Sequence, residues 1–303
     1  MKILNRFLIF FGIIFFTISL LGNYTWYFDV FSHFRIYFVG YFLVCFCFSF
    51  FSEKKHETII SGVFFLFTLL SISPFYFGKN KTNAKEGLKI GAINLLSSNT
   101  DFSAVTKFIH EENFDVLLLQ ELTPDWERQL DSTLSGFSTK IYEAREDNFG
   151  MGMLIKSNPL LLEVMNIGQA EIPSIIAKMR HENLVIIGTH PLPPVGSEYF
   201  DLRNGQFNEI NSLVKSIGSE VVVIGDLNSS SYSPNFKKIT EGTTLRDSRI
   251  GFGLQPSWNA LYSWLAVPID HALVTEGIEV IDRRLGPNIG SDHHPIIIEI
   301  AVN

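Results

Sequence analysis

The sequence predicts an α/β domain carried behind a membrane-embedded helical segment. Three observations support this: short apolar runs that end in polar residues, helical periodicity between some of them, and a first quarter rich in phenylalanine and poor in charge. Residues 1–78 hold 19 of the 28 phenylalanines and only eight charged residues. With 303 residues, 46% of them hydrophobic, the chain can bury a sizeable core.

Taken in order, the stretches 7–28, 36–52 and 58–78 lack Lys, Arg, Asp and Glu over 22, 17 and 21 residues. A helix crossing the hydrocarbon core needs about 20 residues, with a range of roughly 17 to 25, so three transmembrane helices are expected. A cleaved signal peptide is the competing reading of the first run, because Lys2 and Arg6 precede it. Two further apolar runs and the lack of a clear small-residue cleavage site weigh against that. Three spans put the amino terminus and the polar region on opposite sides. Lys2 and Arg6 before the first span outnumber Arg35 after it, which favours an extracytoplasmic polar domain and a multi-pass position in the cell membrane.

Residues 79–87 (KNKTNAKEG) are polar and unpatterned and are expected to be a linker to a domain over 88–303. With the five basic and three acidic residues of 1–78 set aside, residues 79–303 carry 19 basic and 28 acidic residues, net −9. Such a surface disfavours nucleic acid, whose phosphates are bound by clustered cations. Cys45 and Cys47 both lie in an apolar run, so disulfide frameworks, thiolate zinc sites and cysteine nucleophiles are excluded for the polar region.

Strand-like runs occupy 88–94, 115–121, 150–156, 174–180, 183–190, 220–228, 268–274 and 295–301. They are short, β-branched and mostly apolar on both faces, as in strands covered on both sides. Helical spacing appears at Phe102, Val105 and Ile109 behind Asp101; at Trp126, Leu130 and Leu134 after Pro124; and at Phe207, Ile210, Leu213, Val214 and Ile217. The pattern implies sheets sandwiched between helices.

The candidate chemistry sits at strand ends: Asn94, Glu121, His190, Asp226, Asn228, Asp270, His271, Asp292, His293 and His294. A rigid sheet holds such a residue while its side chain leaves the core. Each has a plainer explanation. Asn94 fits a turn cap, Asp226 with Asn228 an Asx-turn, His190 a loop histidine, and Glu121 either an exposed edge carboxylate or a metal ligand. Adjacent side chains diverge, so His293 and His294 are not expected to share a task.

Read in order, N…QE…TH…GDLN…IDH…GSDHHP resembles the endonuclease/exonuclease/phosphatase superfamily, over roughly 88–302. The resemblance implies a DNase I-like four-layer α/β sandwich, here preceded by three transmembrane helices. GFGLQPSWNA, the pair Arg203 and Gln206, and the apolar leader make the chain look like a bacterial membrane-anchored subgroup. Carried over by position, Glu121 would be a Mg²⁺ ligand with Asn94 beside it and Asp292 as a further ligand, Mn²⁺ being a possible substitute. Asp226 would orient and deprotonate water, Asn228 and His190 would donate to phosphoryl oxygens, and Asp270 would hold His293 near the phosphate. Some family nucleases have a phosphate-contacting Tyr where this chain has Asn148 and Phe149, which places Asn148 among the substrate-binding candidates and argues against simple abasic-site nuclease activity.

The residue types suit the task independently. Hard oxygens bind Mg²⁺, N–H groups meet phosphoryl oxygens, and a carboxylate takes a proton from water. The expected activity is metal-dependent phosphoester hydrolysis on a lipid headgroup or small phosphoester, with the bilayer as partner and no protein partner implied. Competing readings are a nuclease, a non-catalytic membrane-bound binding module, and a manganese phosphoesterase of the DHH family. The last shares only three letters with this chain. SWNALYSW (257–264) is read as packed under a long loop or as an aromatic rim toward lipid.

Overall fold

The computed structural model describes residues 2–78, 86–180 and 183–302. Most of the expected linker, 79–85, lies outside the described residues. Helices α1 (Lys2–Leu20), α2 (Trp26–Ser32), α3 (Arg35–Phe51) and α4 (Lys55–Ile72) come first. Strands β1 (Leu88–Asn94), β2 (Val116–Gln120), β3 (Thr139–Glu143), β4 (Met151–Ile155), β5 (Leu161–Asn166), β6 (Pro173–Lys178), β7 (Leu184–Thr189), β8 (Glu220–Asp226), β9 (Arg246–Asp247), β10 (Asp270–Val274), β11 (Ile278–Leu285) and β12 (Ile296–Val302) follow, interspersed with α5 (Phe102–Glu112), α6 (Pro124–Thr133), α7 (Ser197–Ser216) and α8 (Lys237–Thr240).

The strands form two six-stranded sheets, ordered β11-β12-β1-β2-β4-β3 and β5-β6-β7-β8-β10-β9. Because side chains alternate along a strand, each central strand serves two cores. Ile90, Leu118, Ile186 and Val222 pack between the sheets. Leu117 and Leu119 face Val105, Ile109, Trp126 and Leu130 of α5 and α6. Val221 and Val223 face Phe207, Ile210 and Val214 of α7. The result is the expected sandwich, helices outside two sheets. Gly188 is required where β7 meets β2, since a Cβ there would lie 2.4 Å from Leu118 Cδ1.

Asp101 caps α5 by accepting from Ala104 N, and Thr123 caps α6 ahead of Pro124. Helix α7 starts ten residues before the apolar spacing does, because its first half buries Arg203, Asn204 and Gln206 beside Phe200.

The apolar leader departs from three uninterrupted spans. By length and composition one helix, Lys55–Phe75, is able to cross a membrane. Trp26–Ser32 and Arg35–Phe51 pass that test only as a pair bent by 64°, and Leu4–Leu20 is shorter. The first expected span, 7–28, breaks after Leu20: the chain turns, Thr25 caps a new helix, and Asp29 in that helix is drawn into the α/β domain. Arg203 Nη2 donates to Asp29 Oδ2 (2.7 Å), Asn235 Nδ2 donates to Asp29 Oδ1 (3.1 Å), and Ser233 Oγ also donates to Oδ1. Further along, Tyr37 donates to Ala266 O (2.9 Å), Phe75 lies under the Arg249 guanidinium, and Gly253 N donates to Phe75 O (2.7 Å). Helix α2, the amino end of α3 and the segment after α4 therefore all meet the sandwich.

Candidate active site

Alternation explains why the polar strand ends converge. In β1, β2, β7, β8 and β10 the residues facing the other sheet are even-numbered, and each series finishes at the same end of the sandwich in a polar residue: Asn94, Gln120, His190, Asp226 and Asp270. The cleft there has a volume of about 360 Å³ and is lined by Glu121, Asn148, His190, Asp226, Asn228, Asp292 and His293. Asn94 and Asp270 stand directly behind, bonded to Glu121 and His293.

Asp226 and Asp270 are cross-strand partners on β8 and β10. Two carboxylates so placed repel unless a cation bridges them. His293 does so: Nδ1 lies 2.9 Å from Asp270 Oδ2 and Nε2 lies 3.7 Å from Asp226 Oδ2. Burial alone lowers an imidazole pKa, but Asp270 and Asp226 outweigh it and carry His293 up to about 10, so it stands protonated at neutral pH. Burial opposes the charge on Asp226 too, yet His293, His190 and the Asn228 N–H hold it below the usual carboxylate range. His190 Nε2 lies 3.5 Å from Asp226 Oδ2. Asp226 Oδ1 accepts from Asn228 N (2.8 Å), the Asx-turn that the sequence allowed, so the plainer reading and membership of the site coincide.

Glu121 is held by Asn94 Nδ2 (2.9 Å) and Ser97 N (3.0 Å). Asn94 Oδ1 already accepts from Leu96 N (3.0 Å), so Asn94 orients Glu121 and caps a turn in one act. Asp292 Oδ2 accepts from Trp258 Nε1 (2.9 Å), whereas its buried Oδ1 has no hydrogen-bond partner. Asn228 Nδ2 donates to Pro191 O (2.9 Å), and Asn148 Oδ1 accepts from Ser97 Oγ (2.7 Å), which leaves Asn148 its amide donors. Glu121 and Asn228 both have positive φ, 55° and 49°, a strained backbone that is common where a side chain must be aimed.

These donors fit a divalent cation. Hard oxygens from Glu121 and Asp292, one of them unpartnered, share the cleft with Asp226, and three carboxyl groups, Asp226, Asp270 and Asp292, surround the His293 imidazolium. Asp226, Asp270 and His293 also lie close enough to hold an ion. That trio is already satisfied by the His293 proton, so a metal there would have to displace it.

His294 turns away, its Nδ1 on Gly286 O at 3.1 Å, and His271 sits behind the site with Nε2 on Ser229 O at 2.8 Å. Sequence reasoning missed Gln120, which donates to Thr189 O and accepts from Asp226 N, tying one sheet to the other at the site. Gly225 permits this approach: with φ +142°, a Cβ would lie 2.1 Å from Thr189 O. Trp258 was read only as packing or rim, and the leader's contribution, Val30 and His33 in the cleft wall, was not read at all. The signal for the latter was present, since Asp29, His33 and Arg35 between apolar runs are costly unless partnered.

A search of curated proteins finds no match. Among solved structures, a humanized zebrafish (D. rerio) TDP2 superposes with a TM-score of 0.60 at 17% identity, covering 71% of this chain and 99% of that one. D. rerio TDP2 complexed with single-strand DNA product gives 0.58 at 15%, covering 71% and 99%. An endonuclease/exonuclease/phosphatase family protein from Bacteroides thetaiotaomicron gives 0.56 at 14%, covering 72% and 95%. At such identities the likeness shows the fold. The family model described as Endonuclease/Exonuclease/phosphatase family matches residues 91–293, well over half of the chain, a span that takes in the strand-end residues from Asn94 to His293. On that match the chain belongs to the endonuclease/exonuclease/phosphatase family, metal-dependent hydrolases of phosphoester bonds.

Proposed function

We propose that this chain is a membrane-anchored phosphoesterase, with an anchor over 1–78, a linker over 79–87 and a catalytic domain over 88–303, that uses Mg²⁺, with Mn²⁺ as substitute, for direct attack of water on phosphorus. The observation that carries the reading is Asp226 Oδ2, which faces His190 Nε2 at 3.5 Å and His293 Nε2 at 3.7 Å in the cleft it shares with Glu121 and Asp292. Both separations exceed a good hydrogen bond, so Oδ2 keeps a lone pair for the attacking water.

Glu121, oriented by Asn94, and Asp292, oriented by Trp258, would hold the cation. Once bound, the cation supplies positive charge to the phosphoryl oxygens and the leaving oxygen. Asp226 orients the water and accepts its proton. His190, Asn148 and the second Asn228 amide proton donate to phosphoryl oxygens. His293, kept cationic by Asp270, stabilises the charge that accumulates and protonates the leaving group.

Membrane attachment is supported by the side chains of the leader. Asn5, Ser49, Ser61 and Thr68 are buried among the helices, whereas Phe7, Phe10, Val44, Phe51, Val63 and Leu70 point outward. An exposed apolar surface of this extent supports contact with lipid. We take α1, the bent pair and α4 as three passes, with the catalytic domain on the extracytoplasmic side.

A second reading, cleavage of single-stranded nucleic acid, is favoured by the likeness to TDP2 complexed with a DNA product. The cleft disfavours it, because none of its described lining residues is Lys or Arg. The test is hydrolysis of bis(p-nitrophenyl) phosphate by the full chain in detergent. Asp226→Asn should lower turnover at least about a hundredfold and a chelator should abolish it. Near-normal turnover by folded Asp226→Asn refutes the assignment.

A further inference from the structure

The leader does more than tether the domain: it forms part of the cleft. Val30 and His33, on and just after α2, line it together with His190 and Asn228. Both ends of the loop after Asp226 are held from the leader. Asp29 fixes Arg203, whose Nη1 donates to Asn228 O (3.0 Å), and His33 Nδ1 accepts from Ser230 N (3.2 Å). A cleft whose wall is built by the anchor opens beside the anchor's apolar surface.

The rim carries that surface onward. Trp258 is turned in to hold Asp292, but the residues after it are turned out: Leu261, Tyr262 and Leu265 are exposed and Trp264 is 71% exposed. The loop is fastened to α3 where Ala266 O accepts from Tyr37, and the next residues, Val267 and Ile269, descend into the cleft. On the opposite lip Pro193 and Pro194 lead to exposed Val195. The cleft thus combines ionic residues with apolar ones at its lips, and the Leu261–Leu265 lip is fastened to α3 through Ala266.

Resting on the phosphoesterase reading above, we propose that the substrate is the phosphodiester of a membrane lipid, taken from the bilayer that surrounds the anchor, its headgroup in the cleft and its chains along the Leu261–Leu265 lip. In the reaction the water oxygen bonds to phosphorus, one ester P–O bond breaks, the water's proton passes to Asp226, and the leaving alkoxide takes a proton from His293. Diester and water give a phosphomonoester and an alcohol.

The experiment reconstitutes the full chain with Mg²⁺ and compares three substrates at equal phosphate concentration: vesicles of phosphatidylcholine, phosphatidylethanolamine and phosphatidylglycerol; water-soluble dibutanoyl analogues of the same lipids; and single-stranded DNA. Vesicle lipid should be cleaved fastest, and Leu261→Ser with Trp264→Ser should lower the vesicle-to-analogue rate ratio by more than about tenfold. Equal rates on vesicles and analogues with no response to that variant, or faster cleavage of DNA, overturn the inference. Bis(p-nitrophenyl) phosphate separates the two levels. If Asp226-dependent turnover of it persists without lipid cleavage, only the lipid inference falls; if it too is inert, the phosphoesterase reading falls as well.

Discussion

The leader buries polar side chains along its helices together with Phe16 and Phe42, whereas the sandwich fills its centre with apolar ones. Between the sheets the apolar buried set is Ile, Val, Leu, Met and Ala, and the polar groups of the site enter where strands end. Among the helices the buried set includes Asn5, whose amide donates to Ser49 Oγ (2.7 Å), and Glu57, which accepts from Arg6 Nε (2.6 Å), while phenylalanines cover the outside. On the membrane-anchored reading proposed above, lipid around the helices would account for polar groups turned inward and phenylalanines turned outward. Where the two regions meet neither rule holds, and the contact is made by the fully buried pair of Asp29 and Arg203.

That junction should be the most sensitive point of the comparison. Asp29→Ala strands a guanidinium with no exposed surface, and removing one partner of a buried ion pair costs about 3 to 5 kcal/mol. Its thermal midpoint should fall well below wild type, whereas Asp29→Leu combined with Arg203→Met, which buries no charge, should recover most of the loss. Equal midpoints for wild type and Asp29→Ala would show that the leader docks without this pair.

A smaller effect separates the two surroundings directly. Val63 on α4 and Leu160 before β5 are almost equally exposed, at 57% and 52%. Lysine at a lipid-facing position in mid-helix costs about 2.5 to 3.5 kcal/mol, whereas an exposed substitution on a water-facing surface stays within about 0.5 kcal/mol. Val63→Lys should therefore reduce membrane insertion and yield, and Leu160→Lys should leave both unchanged. Like behaviour of the two variants would mean that both surfaces face water.

The sequence made the centre of the sandwich readable and its margins not. Strands β2, β7 and β10 are buried throughout and β8 is buried after its first residue, so their apolar runs are bounded abruptly by Gln120, Thr189, Asp270 and Asp226. Strands β3, β5 and β11 are partly exposed, and mixed residues such as LLEVMN in β5 have no clear period. In the site, Glu121 and Asp226 were legible because a carboxylate closing an apolar run has to be explained, and His293 because GSDHHP gathers an Asp and two His in four residues. Gln120 and Trp258 were not, because each acts through hydrogen bonds to residues far along the chain, Gln120 to positions 69 and 106 residues away and Trp258 to one 34 residues away. Asp29 and Arg203 are 174 residues apart, and nothing local marks either as the other's partner.

The smallest expected effect distinguishes two histidines within the sandwich. His293 is raised by its carboxylate partners, but His271, packed between Asp247 and Ser229 O, is lowered because burial outweighs the pull of Asp247. Above the ordinary histidine pKa of about 6.5, His271 is neutral in both folded and unfolded chains and pH has no leverage through it. Below that value the unfolded chain takes up a proton that the folded one refuses, so stability falls as pH falls toward the depressed folded value, by at most about 1.4 kcal/mol per pH unit. His293 has the opposite sign: its contribution is fully present below about 6.5 and is lost as pH rises toward about 10. The two can be told apart by His271→Asn, whose amide can still donate to Ser229 O but cannot titrate. Between about pH 7 and about pH 5 its thermal midpoint should fall less than that of wild type. Parallel curves for the two proteins would show that His271 gains its proton in the folded state as readily as in the unfolded one.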